Sequence, residues 1–326
     1  MGGGSYDRDY YSSSSGWDSY SSSSYSAVAD KAMGATTLSS DMSPKDRVLK
    51  VSAKHPIIIM LDVTGSNTSF AKIVYDKMPM FYGQIEEKGY LKDFEISVCA
   101  VGDAYCDDYP LQIADVAKGT EIDDWLGKLV LEGCGGGQRC ETYELAAYYL
   151  LHNMQYDDGV DPIIFFIGDE APYKEVKSHL IQSYVDSHYS GESADSKSVF
   201  QDLLKKCPHT YLILNPYNGY CKDTDIDDVW KEMFDGAPAN IIYMQEGNEK
   251  AVVDIMLGVL ALINNGDLAS YKVDMLGRGQ TAARIESVDK TLLNLSNSLV
   301  PVTTVSGLQK STGSTRGKGN SKSSRL

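Results

Sequence analysis

The sequence predicts an α/β fold in which helices cover both faces of a doubly wound, mostly parallel sheet. Apolar, β-branched runs alternate with longer segments of helical periodicity, which is typical of strand–helix–strand units joined by right-handed crossovers. The apolar runs are also continuous rather than alternating, as in strands that are buried on both faces of a sheet. Finally, one short run follows the second strand without a helix between them, which predicts a single antiparallel edge strand.

The individual elements follow from this pattern in chain order. The continuous apolar runs predict parallel strands at residues 56–63, 94–101, 161–169, 210–215 and 240–245. The short run "PLQIAD" predicts the antiparallel edge strand at 110–115. Helical periodicity predicts helices at residues 68–88, 121–131, 141–154, 174–188, 195–206, 225–234 and 248–264.

Composition divides the 326 residues into one folded domain and two tails. Residues 1–44 begin with a low-complexity segment of Ser and Tyr that lacks the aliphatic residues of a core, so we expect a disordered arm. Interleaved Tyr and Ser could also allow this arm to self-associate. Residues 45–300 are expected to form the folded domain together with a C-terminal extension. Residues 301–326 read as a disordered, basic tail rich in Ser and Gly.

Charge and apolar content exclude several classes of partner. The net charge of −15 repels the phosphates of nucleic acids and anionic membrane surfaces, so neither is expected as a partner. The longest apolar stretch, 251–263, is interrupted by Asp254 and too short to span a bilayer. The chain shows no apolar signal segment, and its six cysteines form no CxxC pair. These features favour a cytoplasmic protein with reduced thiols.

Acids and hydroxyls follow the carboxyl ends of the predicted strands. Asp62, Thr64 and Ser66 end the first strand at a spacing of two, and Asp169 ends the third parallel strand. Ligands of open parallel sheets bind beyond these strand ends. Carboxylate and hydroxyl oxygens suit Mg²⁺ first, and also Mn²⁺ or Ca²⁺, and such an ion would compensate both acids. The alternative is that Asp62 caps the following helix, with Thr64 and Ser66 as helix-start residues.

Three segments resemble the von Willebrand factor type A domain, in its intracellular, bacterial or phage-like branch. "DVTGSN" resembles the Asp-x-Ser-x-Ser motif that opens the metal-ion-dependent adhesion site of this family, with Thr in place of the first Ser. "FFIGDEAP" is similar to the later strand whose terminal Asp completes that site. The segment "EGCGGGQRCETYELAAYYL" at 132–150 takes the place of the glycine-rich loop between them. Order and spacing match over roughly residues 55–265, and the resemblance implies a Rossmann-like sheet with a metal at its edge.

Three residues are candidates for the third metal ligand of the implied site. The family usually supplies a Thr from the glycine-rich loop, but here no Thr follows the glycines at once. Gln138, Glu141 and Thr142 compete for the position, and Thr142 is the closest chemical match. Glu141 opens the predicted helix, where it could serve either the helix dipole or the metal.

The resemblance implies a protein-binding module that is not an enzyme. The cation would keep one coordination position open, and an Asp or Glu of a protein partner would complete its shell, as in an accessory subunit of a larger assembly. One alternative is a self-assembling scaffold in which the metal is structural. Another is a metal-assisted hydrolase that uses a metal-bound water, with Glu170 or Asp103 as its base.

Overall fold

A six-stranded sheet forms the centre of the computed structural model, which describes residues 35–133, 139–216, 224–264 and 266–299. Its strands are β1 (His55–Asp62), β2 (Phe94–Val101), β3 (Leu111–Gln112), β4 (Ile163–Gly168), β5 (His209–Leu214) and β6 (Ile241–Tyr243). The spatial order is β6-β5-β4-β1-β2-β3. All neighbouring pairs are parallel except β2 and β3. The predicted fold class, including its antiparallel edge strand, is confirmed.

Nine α-helices accompany this sheet within the described residues. They are α1 (Thr68–Lys88), α2 (Glu121–Leu126), α3 (Tyr143–Asn153), α4 (Ser178–Tyr184), α5 (Ser196–Lys206), α6 (Thr224–Met233), α7 (Val252–Ile263), α8 (Leu268–Gly277) and α9 (Ala282–Leu299). Helix α4 is shorter than predicted because Glu175–Val176 pairs as a strand with Ala194–Asp195. Helix α2 is shorter because it ends at Leu126, before Gly127.

Helices α8 and α9 were not predicted. A signal for α9 was nevertheless present, because its buried apolar residues recur at intervals of three and four, which is the period of an amphipathic helix. These residues are Ile285, Val288, Leu292 and Leu295. Helix α9 packs against α7 and α8, so the C-terminal extension belongs to the same hydrophobic core as the sheet.

The position of strand β1 between two cores explains why its apolar run is continuous. Ile57, Ile59 and Leu61 point into one core, which contains residues of α1, α7 and α9. Ile58 and Met60 point into the second core, which contains residues of α3, α5 and α6. Both faces of the strand are therefore buried, and successive side chains alternate between the two cores.

The folded part begins before the predicted boundary at residue 45. Met42 is completely buried in the core next to α1, and its carbonyl accepts a hydrogen bond from the Ile113 N–H at 2.9 Å. Residues 1–34 and 300–326, which hold most of the two predicted tails, lie outside the described residues. In the part of the chain that the structure describes, no helix has the length and apolar character needed to cross a membrane.

A buried ionic cluster fastens the C-terminal helices to the rest of the domain. Asp254 in α7 is fully buried and accepts a hydrogen bond from Arg278 Nη2 at 3.1 Å. Gln280 Nε2 donates to both of its oxygens, at 3.2 and 3.1 Å, and Arg284 Nη1 donates at 3.4 Å. Arg278 and Gln280 lie between α8 and α9, and Arg284 lies in α9. The Asp254 carboxylate therefore holds the α8–α9 hairpin against α7.

We expect Asp254→Ala to lower the free energy of unfolding by about 3–5 kcal/mol, because it leaves buried guanidinium groups without their counter-charge. The control is Asp289→Ala in the same hairpin, which removes a partly exposed ion pair with Lys272 at 2.7 Å. Exposed pairs contribute about 0–1 kcal/mol, so the control should stay close to the wild type. Urea denaturation measures both losses. Similar losses for the two variants would contradict the role assigned to Asp254.

Candidate functional site

The carboxyl ends of β1, β2 and β4 form one edge of the sheet, called the carboxyl edge below. From β1 the chain moves outward to β2 and β3, whereas from β4 it moves in the opposite direction to β5 and β6. The crevice between β1 and β4 is therefore the switch point at which open α/β sheets bind ligands. Asp62 ends β1 and Asp169 follows β4, and these side chains are only 0% and 2% exposed.

Four hydrogen bonds from neutral groups compensate for the loss of water around the buried carboxyl group of Asp62. Its Oδ1 accepts from the Thr64 backbone N–H at 2.9 Å and from the Thr64 hydroxyl at 2.6 Å. Its Oδ2 accepts from Asn67 Nδ2 at 2.8 Å and from the Tyr143 hydroxyl at 2.6 Å. Burial raises the pKa of Asp62, and these hydrogen bonds oppose the shift. The N-cap position of α1 is Asn67, so Asp62 is not the capping residue of that helix.

Asn67 connects the two carboxylates of the carboxyl edge. Its Nδ2 lies 2.8 Å from Asp62 Oδ2 and 2.5 Å from Asp169 Oδ1, and the side chain is completely buried. The two acids predicted to share a cation therefore share an amide group in this structure. The sequence pattern had not marked Asn67, although it directly follows Ser66. The sequence did contain a signal for Asn67, because its uncharged amide can donate hydrogen bonds and it lies close in sequence to Asp62.

The other predicted ligands divide into three groups. Thr64 is buried and lies against Asp62, so the structure brings together Asp62, Thr64 and Asp169. The side chain of Ser66 lies outside the described residues, as does the whole of Gln138. The Thr142 hydroxyl donates to the Gly102 carbonyl and accepts from the Ala104 N–H at 3.1 Å. Thr142 thus fastens the start of α3 to the loop after β2.

Glu141 lies at the carboxyl edge as a buried acid, 1% exposed. Burial raises its pKa first, and the negative charges of Asp62 and Glu170 raise it further. Glu170 lies beside it, and burial raises the pKa of Glu170 as well. Each of these two acids therefore disfavours the ionisation of the other. Glu141 Oε2 is buried and has no hydrogen-bond partner.

Three further acids are buried beside this pair, and the sequence pattern marked only part of them. Asp103 accepts from the Tyr173 hydroxyl at 3.0 Å, Asp107 from the Asp103 N–H at 2.7 Å, and Glu144 from the Tyr173 N–H at 3.0 Å. Each keeps one buried oxygen without a hydrogen-bond partner: Asp103 Oδ2, Asp107 Oδ1 and Glu144 Oε1. The carboxyl edge is therefore an oxygen-rich site lined by acidic side chains.

The oxygen donors of the carboxyl edge are of the kind that a hard divalent cation binds. The donors are carboxylate and hydroxyl oxygens, and several buried carboxyl oxygens lack partners. Among the described residues, the only group of three His, Cys, Asp or Glu side chains close enough to hold a metal is Asp46, Asp186 and His188, at another position. An ion at the carboxyl edge would be held by Asp62 and Asp169, with Thr64 beside them.

The chain matches no protein-family model and no curated protein sequence. Among solved structures it is similar to the pilus adhesin SpaC from Lactobacillus rhamnosus GG, with a TM-score of 0.46 and 12% identity over 66% of this chain and 32% of the adhesin. It is also similar to proximal thread matrix protein 1 from the mussel byssus, with a TM-score of 0.42 and 8% identity over 64% of this chain and 49% of that protein.

A third similar structure is an aerotolerance-related membrane protein from Bacteroides fragilis NCTC 9343. Its TM-score is 0.34 at 10% identity, over 63% of this chain and 98% of that chain. This chain thus spans about a third of the adhesin and half of the mussel protein. At these TM-scores the similarities assign neither a family nor a function.

Gly168, the last residue of β4, is expected to tolerate no side chain. A Cβ there would lie 1.8 Å from the Tyr143 hydroxyl and 3.0 Å from Asp62 Cβ. Gly168→Ala should cost about 1–3 kcal/mol or more, because Tyr143 must move away from Asp62. Gly277→Ala is the control, since a Cβ at this helical position meets nothing within 4 Å, and it should be neutral or stabilising by up to about 1 kcal/mol. Urea denaturation compares the two, and equal effects would contradict the close packing.

Asp107 should give the domain an unusual pH dependence. Burial raises its pKa from 3.8 to about 6, so its contribution to stability is complete below pH 3.8 and is lost as the pH rises through about 6. Asp107→Asn removes this titration while keeping an acceptor oxygen. The melting temperature of the variant, relative to the wild type, should therefore rise between pH 4 and pH 7. Asp108→Asn, at the exposed neighbouring position, should show no such rise, and a flat difference for Asp107→Asn would contradict the prediction.

Proposed function

We propose that this chain is a cation-dependent protein-binding module, built on a fold of the von Willebrand factor type A kind and acting as an accessory subunit of a larger assembly. The observation that supports the proposal most is the convergence of Asp62 and Asp169 on a single amide nitrogen. A divalent cation at that position, Mg²⁺ in the first place and otherwise Mn²⁺ or Ca²⁺, would hold both carboxylates with Thr64 beside them. Such an ion supplies the positive charge on which a carboxylate of a partner can dock.

The charge of the carboxyl edge explains why binding would depend on the ion. Several carboxyl groups are buried within a short distance of Asp62, and a partner carboxylate would meet their repulsion. A divalent cation would remove part of this repulsion. The proposed partner is therefore a protein that offers an Asp or Glu, in the cytoplasm, with neither nucleic acid nor membrane involved.

The same contacts favour binding over catalysis. A metal-assisted hydrolase needs a base that is free to accept a proton from a metal-bound water. Glu170 is buried beside Glu141, and Asp103 Oδ2, the one oxygen of that acid without a hydrogen-bond partner, is buried as well. We therefore propose that the module is not an enzyme.

One observation favours a second candidate, a scaffold that needs no ion. The four hydrogen bonds to Asp62 account for about all the acceptor positions of a carboxylate, so this side chain is satisfied without a metal. In that case, self-association would come from other parts of the chain, such as the Ser/Tyr arm. That arm lies outside the described residues.

Melting temperatures in EDTA and in millimolar Mg²⁺, Mn²⁺ or Ca²⁺ separate the two candidates. A cation at a hundred times its Kd should add about 2.7 kcal/mol to the free energy of unfolding. Asp169→Asn should abolish this gain. The matched control is Asp158→Asn, at an exposed position before the other end of β4, and it should keep the gain. Equal melting of the wild type with and without cations would support the scaffold.

A pull-down with the full chain then tests the partner. A partner retained in Mg²⁺ should be released by EDTA and should not be retained by Asp169→Asn, whereas Asp158→Asn should retain it. Substituting one acidic residue of the recovered partner by its amide should abolish retention. A partner that stays bound in EDTA would contradict the proposed mode of binding.

A further inference from the structure

We infer that Asn67 is a built-in substitute for the cation at the carboxyl edge: its amide group stabilises the Asp62–Asp169 pair without an ion, and it competes with the ion for the same two oxygens. The competition rests on the proposed function, whereas the role in the ion-free protein does not. Asn67 thereby sets how tightly the module binds its cation.

The geometry shows why an ion and the amide exclude each other. Asn67 Nδ2 carries two hydrogens, and it lies at hydrogen-bond distance from one oxygen of each acid, 2.8 Å for Asp62 and 2.5 Å for Asp169. Mg²⁺ binds carboxylate oxygens at about 2.0–2.1 Å. An ion that ligates the same two oxygens from the side on which the amide lies would therefore overlap with the amide nitrogen.

The amide can leave this position without breaking any other side-chain hydrogen bond in the described structure. Its Oδ1 is buried and has no hydrogen-bond partner, so the two carboxylates are the recorded side-chain partners of Asn67. The backbone of Asn67 is held separately, because its N–H donates to the Thr64 carbonyl at 3.0 Å. The backbone contact can therefore persist when the amide group leaves this position.

Asn is well suited to this role because it compensates the two acids only in part. The amide offers two donors but no positive charge, so the mutual repulsion of the carboxylates is reduced and not cancelled. A divalent cation compensates them more completely. The balance between the two sets the cation affinity at a level below that of the bare carboxylate pair.

The test compares Asn67→Ala with Asn240→Ala. Asn240 is the matched control because its Nδ2 also donates two hydrogen bonds, to the carbonyls of Pro208 and Thr210 at 3.2 and 2.9 Å, near the opposite end of the sheet. In EDTA, Asn67→Ala should melt at a lower temperature than Asn240→Ala, since it leaves two buried carboxylates facing each other. Millimolar Mg²⁺ or Mn²⁺ should close that gap.

Calorimetric titration with Mn²⁺ measures the competition directly. Asn67→Ala should bind the ion about tenfold more tightly than the wild type, which corresponds to about 1.4 kcal/mol, and Asn240→Ala should bind like the wild type. Equal or weaker binding by Asn67→Ala would overturn the competition, and weaker binding would make Asn67 a ligand. Equal melting of the two variants in EDTA would overturn the role in the ion-free protein.

A double variant keeps the test decisive if Asn67→Ala does not fold in EDTA. Asn67→Ala with Asp169→Asn has only one carboxylate at the position, so the double variant should regain most of the lost melting temperature. No recovery would overturn the inference. If neither the wild type nor Asn67→Ala binds any cation, the proposed function and the competition both fail. The role of Asn67 in the ion-free protein is still supported if Asn67→Ala is less stable in EDTA and the double variant regains that stability.

Discussion

The buried carboxylate of Asp62 is the constraint on which the carboxyl edge depends. A carboxylate removed from water must be paired or hydrogen-bonded, and at Asp62 all four recorded donors are neutral. Those donors determine the surroundings. Thr64 turns the chain after β1, and Tyr143 reaches Asp62 from α3. Gly168 has no side chain because the Tyr143 hydroxyl occupies that space.

The domain compensates its buried acids in two different ways. At Asp254 it supplies its own cations, Arg278 and Arg284, and the result is a permanent connection between helices. At Asp62 the donors are hydroxyl, amide and backbone groups, none of which carries a positive charge. Several acids beside it keep buried oxygens without partners. Because of this difference, a cation from solution would stabilise the carboxyl edge more than the Asp254 cluster. Locally unfavourable arrangements of this kind are typical of functional sites.

Much of the fold followed from local signals. The β2 and α1 boundaries were predicted to the residue, because an apolar run buried on both faces and a long amphipathic helix are encoded within single segments. Helices α2 and α4 were predicted too long, and α4 was limited by a strand pair that forms with residues farther along the chain. Met42 looked like part of an arm, although a core contact buries it.

The sequence by itself determined which strands end in acids and that their shared edge is the site to consider, because strand direction and residue type are local properties. Only the tertiary structure decided how those acids are compensated. Thr142 was the best chemical match for a ligand, yet its hydroxyl is bonded to the loop after β2. Glu141 is buried beside Glu170, and Asn67 lies between Asp62 and Asp169. Each of these outcomes depends on distances between side chains from separate segments, which no local pattern specifies.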